Sequence, residues 1–267
     1  MAAAQIAITD DIACNLRVIL ATIQRQAARG SEVVLFPETA LTGYSPAIGH
    51  GRHASEWPTI ESALATIAQA AQEHGIWVLV GTEAWVGTHW VNRLYAFSDT
   101  GQIAAQYDKI HLTRADTQFY QPGTEQVVLD LKGITVGLQI CYDVRFPEGY
   151  RSLLDQGAEV VMIGFYGAGS GTWKVPVLEA HLRSRAAENG CFVVAANVAG
   201  PLQIVVSQVV DPLGLMLAQA NQDCAEVVEA ELHLDRIADS EIRQDFLSRF
   251  RDTRFRDTRL RDSSHDG

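Results

Sequence analysis

Apolar and polar positions alternate along this chain in two rhythms. Ala2 to Ile8 reads as a first strand, and Asp10 and Asp11 are placed to cap a helix. In that helix Ile12, Leu16, Ile19, Leu20, Ile23 and Ala27 recur at helical spacing until Gly30. Val33 to Phe36 is a short continuous apolar run, the kind that forms a strand buried on both faces. The segment from Thr42 to Pro58 is rich in Gly, Pro and His and reads as a surface loop. A second helix is predicted over Thr59 to His74. Strands are predicted at 76–83, 91–98 and 102–107, the last two joined by the turn Ser98-Asp99-Thr100-Gly101. An irregular stretch, 111–125, ends in Pro122-Gly123.

The second half has a similar plan. Strands are predicted at 126–131 and 134–140, a helix over Pro147 to Gln156 with proline in its first turn, and a strand at Val160 to Ile163. A Gly-rich loop, 164–172, leads to a helix from Trp173 to Asn189, which Gly190 ends. Strands at 191–197, 204–210, 215–219 and 225–231 complete the set, with Asp211-Pro212-Leu213-Gly214 as a turn. The two halves share an outline and no linker separates them. This predicts an α/β protein of two mixed sheets packed together, helices outside, with an internal pseudo-repeat. Residues 1–232 read as one domain and 233–267 as a C-terminal extension. Within that extension Arg251-Asp252-Thr253-Arg254-Phe255 is echoed by Arg256-Asp257-Thr258-Arg259-Leu260, either a solvated tail or an arm docked on a partner subunit.

Composition narrows the function. Nearly half of the 267 residues are hydrophobic, enough for a sizeable core. No apolar run is long enough to span a membrane. The net charge of −11 argues against nucleic acid or an anionic membrane as the main partner. Met1 to Asp11 lacks a basic region and does not read as a signal peptide. Cys14, Cys141, Cys191 and Cys224 are widely spaced, which speaks against a zinc site or a disulfide framework and for reduced thiols in a cytoplasm. His50 and His53 have no third ligand nearby, so no metal is expected. The Gly167 to Gly171 loop lacks the Lys-Ser/Thr of a phosphate-binding loop, and no GxSxG is present.

Three apolar strands each deliver one reactive side chain at their carboxyl ends: Glu38, Lys109 and Cys141. Ligands of open α/β sheets bind at such ends. Singly, each has a bland alternative: a helix-start charge, a surface amine, a buried small hydrophobe. Together they form a set for thiol hydrolysis. A carboxylate in an apolar pocket can hold or release a proton, and an amine favours the thiolate and donates to an oxyanion. The backbone N–H of Tyr142 is a second oxyanion donor. Tyr166 and Trp173 flank the Gly-rich loop as core packing or as a substrate wall, whereas Cys191 reads as buried packing.

The chain resembles the nitrilase, or carbon–nitrogen hydrolase, superfamily. The resemblance rests on Leu35-Phe36-Pro37-Glu38-Thr39-Ala40-Leu41-Thr42-Gly43-Tyr44, on Tyr107-Asp108-Lys109-Ile110-His111-Leu112, and on Gly137-Leu138-Gln139-Ile140-Cys141-Tyr142-Asp143-Val144-Arg145-Phe146-Pro147-Glu148. Arg183 to Asn189 and Asp211 to Gly214 extend it, and it covers residues 3–232. It implies a four-layer α-β-β-α sandwich and a triad: Glu38 as base and acid, Lys109 as oxyanion stabiliser, Cys141 as nucleophile. It leaves His111 a structural role. A second glutamate common in the family falls on Asp116, one methylene shorter, and Glu125 is poorly placed to replace it. Asp116, Tyr44, Tyr166 and Trp173 are the candidate substrate-positioning residues. The implied reaction is hydrolysis of a small linear carboxamide without a cofactor, by a homodimer or higher homo-oligomer. An N-carbamoyl amino-acid amidohydrolase, a nitrilase and a catalytically silent binding protein are the alternatives. No basic anchor for a substrate carboxylate is evident at this level.

Overall fold

The structure, a computed structural model, describes residues 1–171 and 173–249. Among the described residues, twelve strands form two six-stranded sheets. The first half supplies β1 (Ala2–Gln5), β2 (Val33–Leu35), β3 (Trp77–Val86), β4 (His89–Phe97) and β5 (Ile103–Asp108). The second supplies β6 (Val128–Leu131), β7 (Ile134–Ile140), β8 (Val160–Gly164), β9 (Phe192–Ala196), β10 (Gln208–Val210), β11 (Met216–Gln219) and β12 (Glu226–Glu229). The long helices are α1 (Ile12–Ala28), α3 (Trp57–His74), α4 (Pro147–Asp155) and α5 (Lys174–Asn189). A short α2 (Ser45–Ile48) and α6 (Glu241–Arg249) complete the set.

The strand orders are β12-β1-β2-β3-β4-β5 and β11-β10-β9-β8-β7-β6. In each sheet three parallel strands lie between one antiparallel strand and an antiparallel pair. The pseudo-repeat is thus real, with one correction. The last strand does not extend the second half: β12 pairs with β1, from Ala2 opposite Glu229 to Gln5 opposite Glu226. It plays for the first sheet the part that β6 plays for the second. Edge amides of β1 need a partner, and the returning chain provides one.

Side-chain alternation sets the layers. Val33 and Leu35 of β2 join Val160 and Met162 of β8 in the apolar layer between the sheets. Val34 and Phe36 point the other way into the layer under α1 and α3. Val161 and Ile163 point into the layer under α4 and α5. Three apolar layers make the four-layer α-β-β-α sandwich, each fully buried Val or Leu stabilising it by about 1.5–3 kcal/mol. The predicted cap holds: the Asp11 carboxylate accepts from the N–H groups of Ala13 at 2.8 Å and Cys14 at 3.0 Å.

Two segments differ from expectation. Thr42 to Pro58 is no plain surface loop, since it contains α2 and buries Thr42 and Ser45. Arg52 reaches inward from it to the Glu83 carboxylate at 3.0 Å. The strand expected over 204–210 is only Gln208–Val210, because Ile204 donates its N–H to the Gly167 carbonyl at 3.0 Å instead of joining the ladder. The arginine-rich repeat of 251–260 lies outside the described residues.

Candidate active site

Glu38, Lys109 and Cys141 come just after β2, β5 and β7 and meet where the carboxyl ends of the two sheets come together. Two glycines permit that approach. A Cβ on Gly81 would lie 2.4 Å from the Pro37 carbonyl oxygen and 2.8 Å from Glu38 Cα. One on Gly164 would lie 2.9 Å from the Glu38 nitrogen. The Glu38 backbone is therefore held between β3 of its own sheet and the end of β8 of the other.

Glu38, Lys109 and Asp116 are buried together, with the half-buried Cys141 beside them. Lys109 Nζ donates to Glu38 Oε1 at 2.7 Å and to Asp116 Oδ2 at 2.9 Å. Glu38 Oε1 also accepts from Asn92 Nδ2 at 2.7 Å, and Oε2 accepts from the backbone N–H of Tyr166 at 2.7 Å. Asp116 Oδ1 accepts from the Tyr44 hydroxyl at 2.6 Å, and Oδ2 from the Thr113 N–H at 2.8 Å. The shorter acid thus reaches the lysine directly. It does so because Asp116 starts a 3-10 turn that carries its carboxylate inward to full burial.

These contacts set the electrostatics. Burial opposes the Lys109 charge, but the carboxylates of Glu38 and Asp116 outweigh it and hold the ammonium well above its ordinary pKa. Burial likewise opposes the Asp116 charge, yet Lys109 and the hydrogen bond from Tyr44 keep its pKa below the ordinary carboxylate value. Cys141 behaves otherwise. Burial, and then the charge of Glu38, push its thiol well above the ordinary value, and Lys109 only partly offsets them. The resting group is therefore a thiol and not the thiolate that a neighbouring amine suggests.

Cys141 begins a 3-10 turn, Cys141–Arg145, at φ +48°, a left-handed conformation rare for a side-chain-bearing residue. Thr39, just after Glu38, sits at φ +50°. The strained turn aims the half-buried thiol into the cavity. The Tyr142 N–H is at the start of this turn, where a helical amide has no acceptor within the turn. Asp143 fixes the turn: its carboxylate accepts from Ile140 N–H at 3.1 Å, Tyr107 OH at 2.8 Å and His111 N–H at 2.9 Å. His111 Nδ1 also lies 2.8 Å from Asp143, and its ring stacks on Phe146, so this histidine is part of the scaffold. From outside, Arg185 Nε donates to the Val144 carbonyl at 2.9 Å, which gives the Arg183 to Asn189 motif its structural reason.

Cys141 opens onto a cavity of about 590 Å³. Tyr44 and Tyr166 line it with ring centroids 4.9 Å apart. Trp173 also lines it and is 64% exposed, so its role is the wall and not the core. Cys191 is buried packing, its thiol pushed up to about 12 by burial.

Sequence reasoning missed several residues. Asn92 is a buried polar group within an apolar strand, a position that demands a partner. Arg114, Arg145 and Lys174 line the cavity, basic groups whose placement there is not evident from the sequence. Glu83 is concealed within β3. It accepts from Ser45 N–H at 3.0 Å and from the Tyr120 hydroxyl, and so ties the loop bearing Tyr44 to the turn bearing Asp116.

Residues 1–241 match the carbon–nitrogen hydrolase family. The chain belongs to this family. Like other carbon–nitrogen hydrolases of the amidase-like branch, it acts on carbon–nitrogen bonds other than peptide bonds. It is 32% identical over 229 residues to a 2-oxoglutaramate amidase of Bacillus subtilis, covering 79% of this chain and 82% of that one. An (R)-stereoselective amidase of Pseudomonas sp is 32% identical over 243 residues, 89% of this chain and 85% of its own. Among solved structures, a mutant amidase from Nesterenkonia sp. AN1, with acrylamide added to its active-site cysteine, superposes with a TM-score of 0.77. It is 25% identical and covers 92% of this chain and 98% of its own. The NitFhit protein of C. elegans gives a TM-score of 0.81 at 26% identity, covering 93% of this chain and 64% of its own. Both have the same sandwich. Among the described residues no helix is long and apolar enough to cross a membrane.

Proposed function

We propose that this carbon–nitrogen hydrolase cleaves a small linear carboxamide to its acid and ammonia through a thioester on Cys141. The observation that carries the reading is the juxtaposition of the Cys141 thiol with the Glu38 carboxylate and the buried Lys109 ammonium, with Cys141 opening onto the cavity. The acrylamide adduct on the active-site cysteine of the Nesterenkonia amidase supports the assignment of the nucleophile.

A raised thiol pKa requires base assistance at the moment of attack. As Cys141 Sγ bonds to the amide carbon, its proton passes to Glu38. The carbonyl oxygen gains the negative charge and is held by Lys109 Nζ and the Tyr142 N–H. Glu38 returns the proton to the amide nitrogen, the C–N bond breaks, and ammonia leaves an acyl thioester. Glu38 then takes a proton from water, hydroxide adds to the thioester carbon, and a second oxyanion forms. Its collapse expels Cys141 sulfur, which recovers the proton from Glu38, and the acid departs. One water is consumed for each ammonia released.

Glu38 is restricted by three donors, so the proton moves over a fixed geometry. Asp116 acts as a positioning residue, since it accepts a second hydrogen bond from Lys109 beside the one to Glu38. Tyr44 and Tyr166 flank the acyl chain. The complete set of reacting groups disfavours a catalytically silent binding protein. The same reading carries a homodimer or higher homo-oligomer, and a monomer in sedimentation analysis would contradict it.

The test is ammonia release across short aliphatic amides, N-carbamoyl amino acids and nitriles. The reading expects release from amides with one equivalent of acid. Ammonia from nitriles or carbamoyl compounds alone would displace the carboxamide assignment, and none from any compound would sink it.

A further inference from the structure

Asn92 is a fully buried amide on β4 that holds two members of the triad. Its backbone carbonyl accepts from the Lys109 N–H at 2.9 Å, which carries the β4–β5 ladder one residue past Asp108. Its side chain donates from Nδ2 to Glu38 Oε1 at 2.7 Å. An ionised carboxylate only accepts, so the amide nitrogen must be the atom that faces it. The other end of the amide is unserved: Oδ1 is buried and has no hydrogen-bond partner among the described residues. A buried carbonyl left unpaired lowers stability, so the fold alone does not account for an asparagine here.

Glu38 offers about four lone-pair sites, shared equally between its oxygens. Oε1 accepts from Lys109 Nζ and from Asn92, both at 2.7 Å, and is full. Oε2 accepts the Tyr166 N–H, also at 2.7 Å, and keeps one site open. Burial and then Glu38, by its charge and by a side-chain hydrogen bond, raise the Cys141 thiol, so this carboxylate is its neighbour. The Lys109 ammonium carries three protons. One goes to Glu38 Oε1 and one to Asp116 Oδ2, which leaves one for a substrate oxygen. Without the Asn92 amide, Oε1 would be held by Lys109 alone. The carboxylate could then turn about its terminal bond, a soft one, until the ammonium bridges both oxygens. That bridge would fill the open site on Oε2 and consume the third ammonium proton.

We infer that Asn92 is a positioning residue that divides the work between the two oxygens of Glu38: Oε1 is closed as an anchor, and Oε2 alone carries the catalytic proton. This rests on the amidase reading above and specifies the path of its proton. In acylation the Cys141 S–H bond breaks as an O–H bond forms at Oε2, and the same proton then passes to the departing nitrogen. In deacylation a water proton goes to Oε2 and from there to the Cys141 sulfur. Asn92 is absent from the described residues that line the cavity, so it acts through Glu38 and not on the substrate.

The experiment measures kcat and KM for the best amide of the panel above, and the rate at which iodoacetamide alkylates Cys141, in the unaltered protein and in Asn92→Leu. Leucine keeps the volume, removes the unpaired oxygen together with the donor, and leaves the backbone bond to Lys109 in place. Thermal unfolding should therefore change little. The inference expects kcat to fall about ten- to a hundredfold while KM moves by less than about threefold. Alkylation needs the thiol proton removed but no oxyanion, so it should slow as well. Asn92→Thr, whose hydroxyl stops one bond short of Glu38, should lower kcat in the same way and serves if leucine is not accommodated. An unchanged or faster kcat in a folded variant would mean that Oε1 takes the proton or that Asn92 only packs, and would overturn the inference. So would a loss carried by KM alone, or alkylation that does not slow. If the unaltered protein hydrolyses no amide, the amidase reading fails instead. The alkylation rate then decides the part of Asn92, slower alkylation supporting it and equal alkylation refuting it.

Discussion

At the scale of single residues, the chemistry depends on protonation states imposed by burial. The Cys141 thiol is raised by burial and by Glu38, so it stays protonated through the pH range in which a free thiol ionises. Alkylation of Cys141 by iodoacetamide should therefore show its pH inflection on the alkaline side of a free thiol's. An inflection on the acid side would mean a resting thiolate and would remove the need for Glu38 as base. Asp116 shifts the other way, held below the ordinary carboxylate value by Lys109 and Tyr44. Its stabilising contribution is present above the unfolded pKa and lost as pH falls through the folded one. Asp116→Asn should cost about 1–3 kcal/mol at neutral pH, and less in acid, by denaturant unfolding. A cost that did not shrink in acid would contradict this sign. Glu38, Lys109 and Cys141 stand out as candidates in the sequence because each follows an apolar run and falls in a motif that resembles the family's. Asp116 is legible only through the spacing of a family motif. Nothing in Arg-Ala-Asp-Thr-Gln says that a 3-10 turn buries that carboxylate against Lys109.

At the scale of elements, the site is built by the turns that follow strands of both sheets. The long helices and most strands are legible from periodicity and caps, as α1 shows with Asp11 at its start and Gly30 beyond its end. The loop after β2 is not, because its Gly, Pro and His content resembles exposed chain. What makes it structural is distant: Glu83 on β3 binds Ser45, Tyr120 and Arg52 from the loop and turn on either side. A local pattern cannot announce such a partner. Glu83→Ala should leave Arg52 with Glu56 as its remaining ionic partner and take the acceptor from Ser45 and Tyr120, destabilising the protein by about 1–3 kcal/mol. It should also raise KM by loosening Tyr44 and Asp116. An unchanged melting temperature would show that these hydrogen bonds do not hold the loop.

At the scale of the whole molecule, two similar halves are closed by an exchange at the end of the chain. The repeat is visible in the order of elements, but the destination of β12 is not. Strand pairing between residues more than two hundred positions apart leaves no trace in hydrophobic pattern, since Glu226–Glu229 could complete either sheet. Pairing of β12 with β1 also receives the Met1 ammonium, which donates to the Ala230 carbonyl at 2.8 Å. A chain ending at Asp223 should therefore leave one edge of β1 unpaired and melt well below the full-length protein, with early hydrogen exchange at Ala2–Gln5. Equal melting of the two would show that β12 is dispensable. The central claim concerns the thioester on Cys141, and the most direct measurement is the intact mass of the protein quenched in acid during turnover of an amide. The account expects a species heavier by the acyl group, mapped to the peptide containing Cys141, and expects Cys141→Ala to show neither that species nor ammonia release. Ammonia release persisting in Cys141→Ala at a rate near that of the unaltered protein would contradict it.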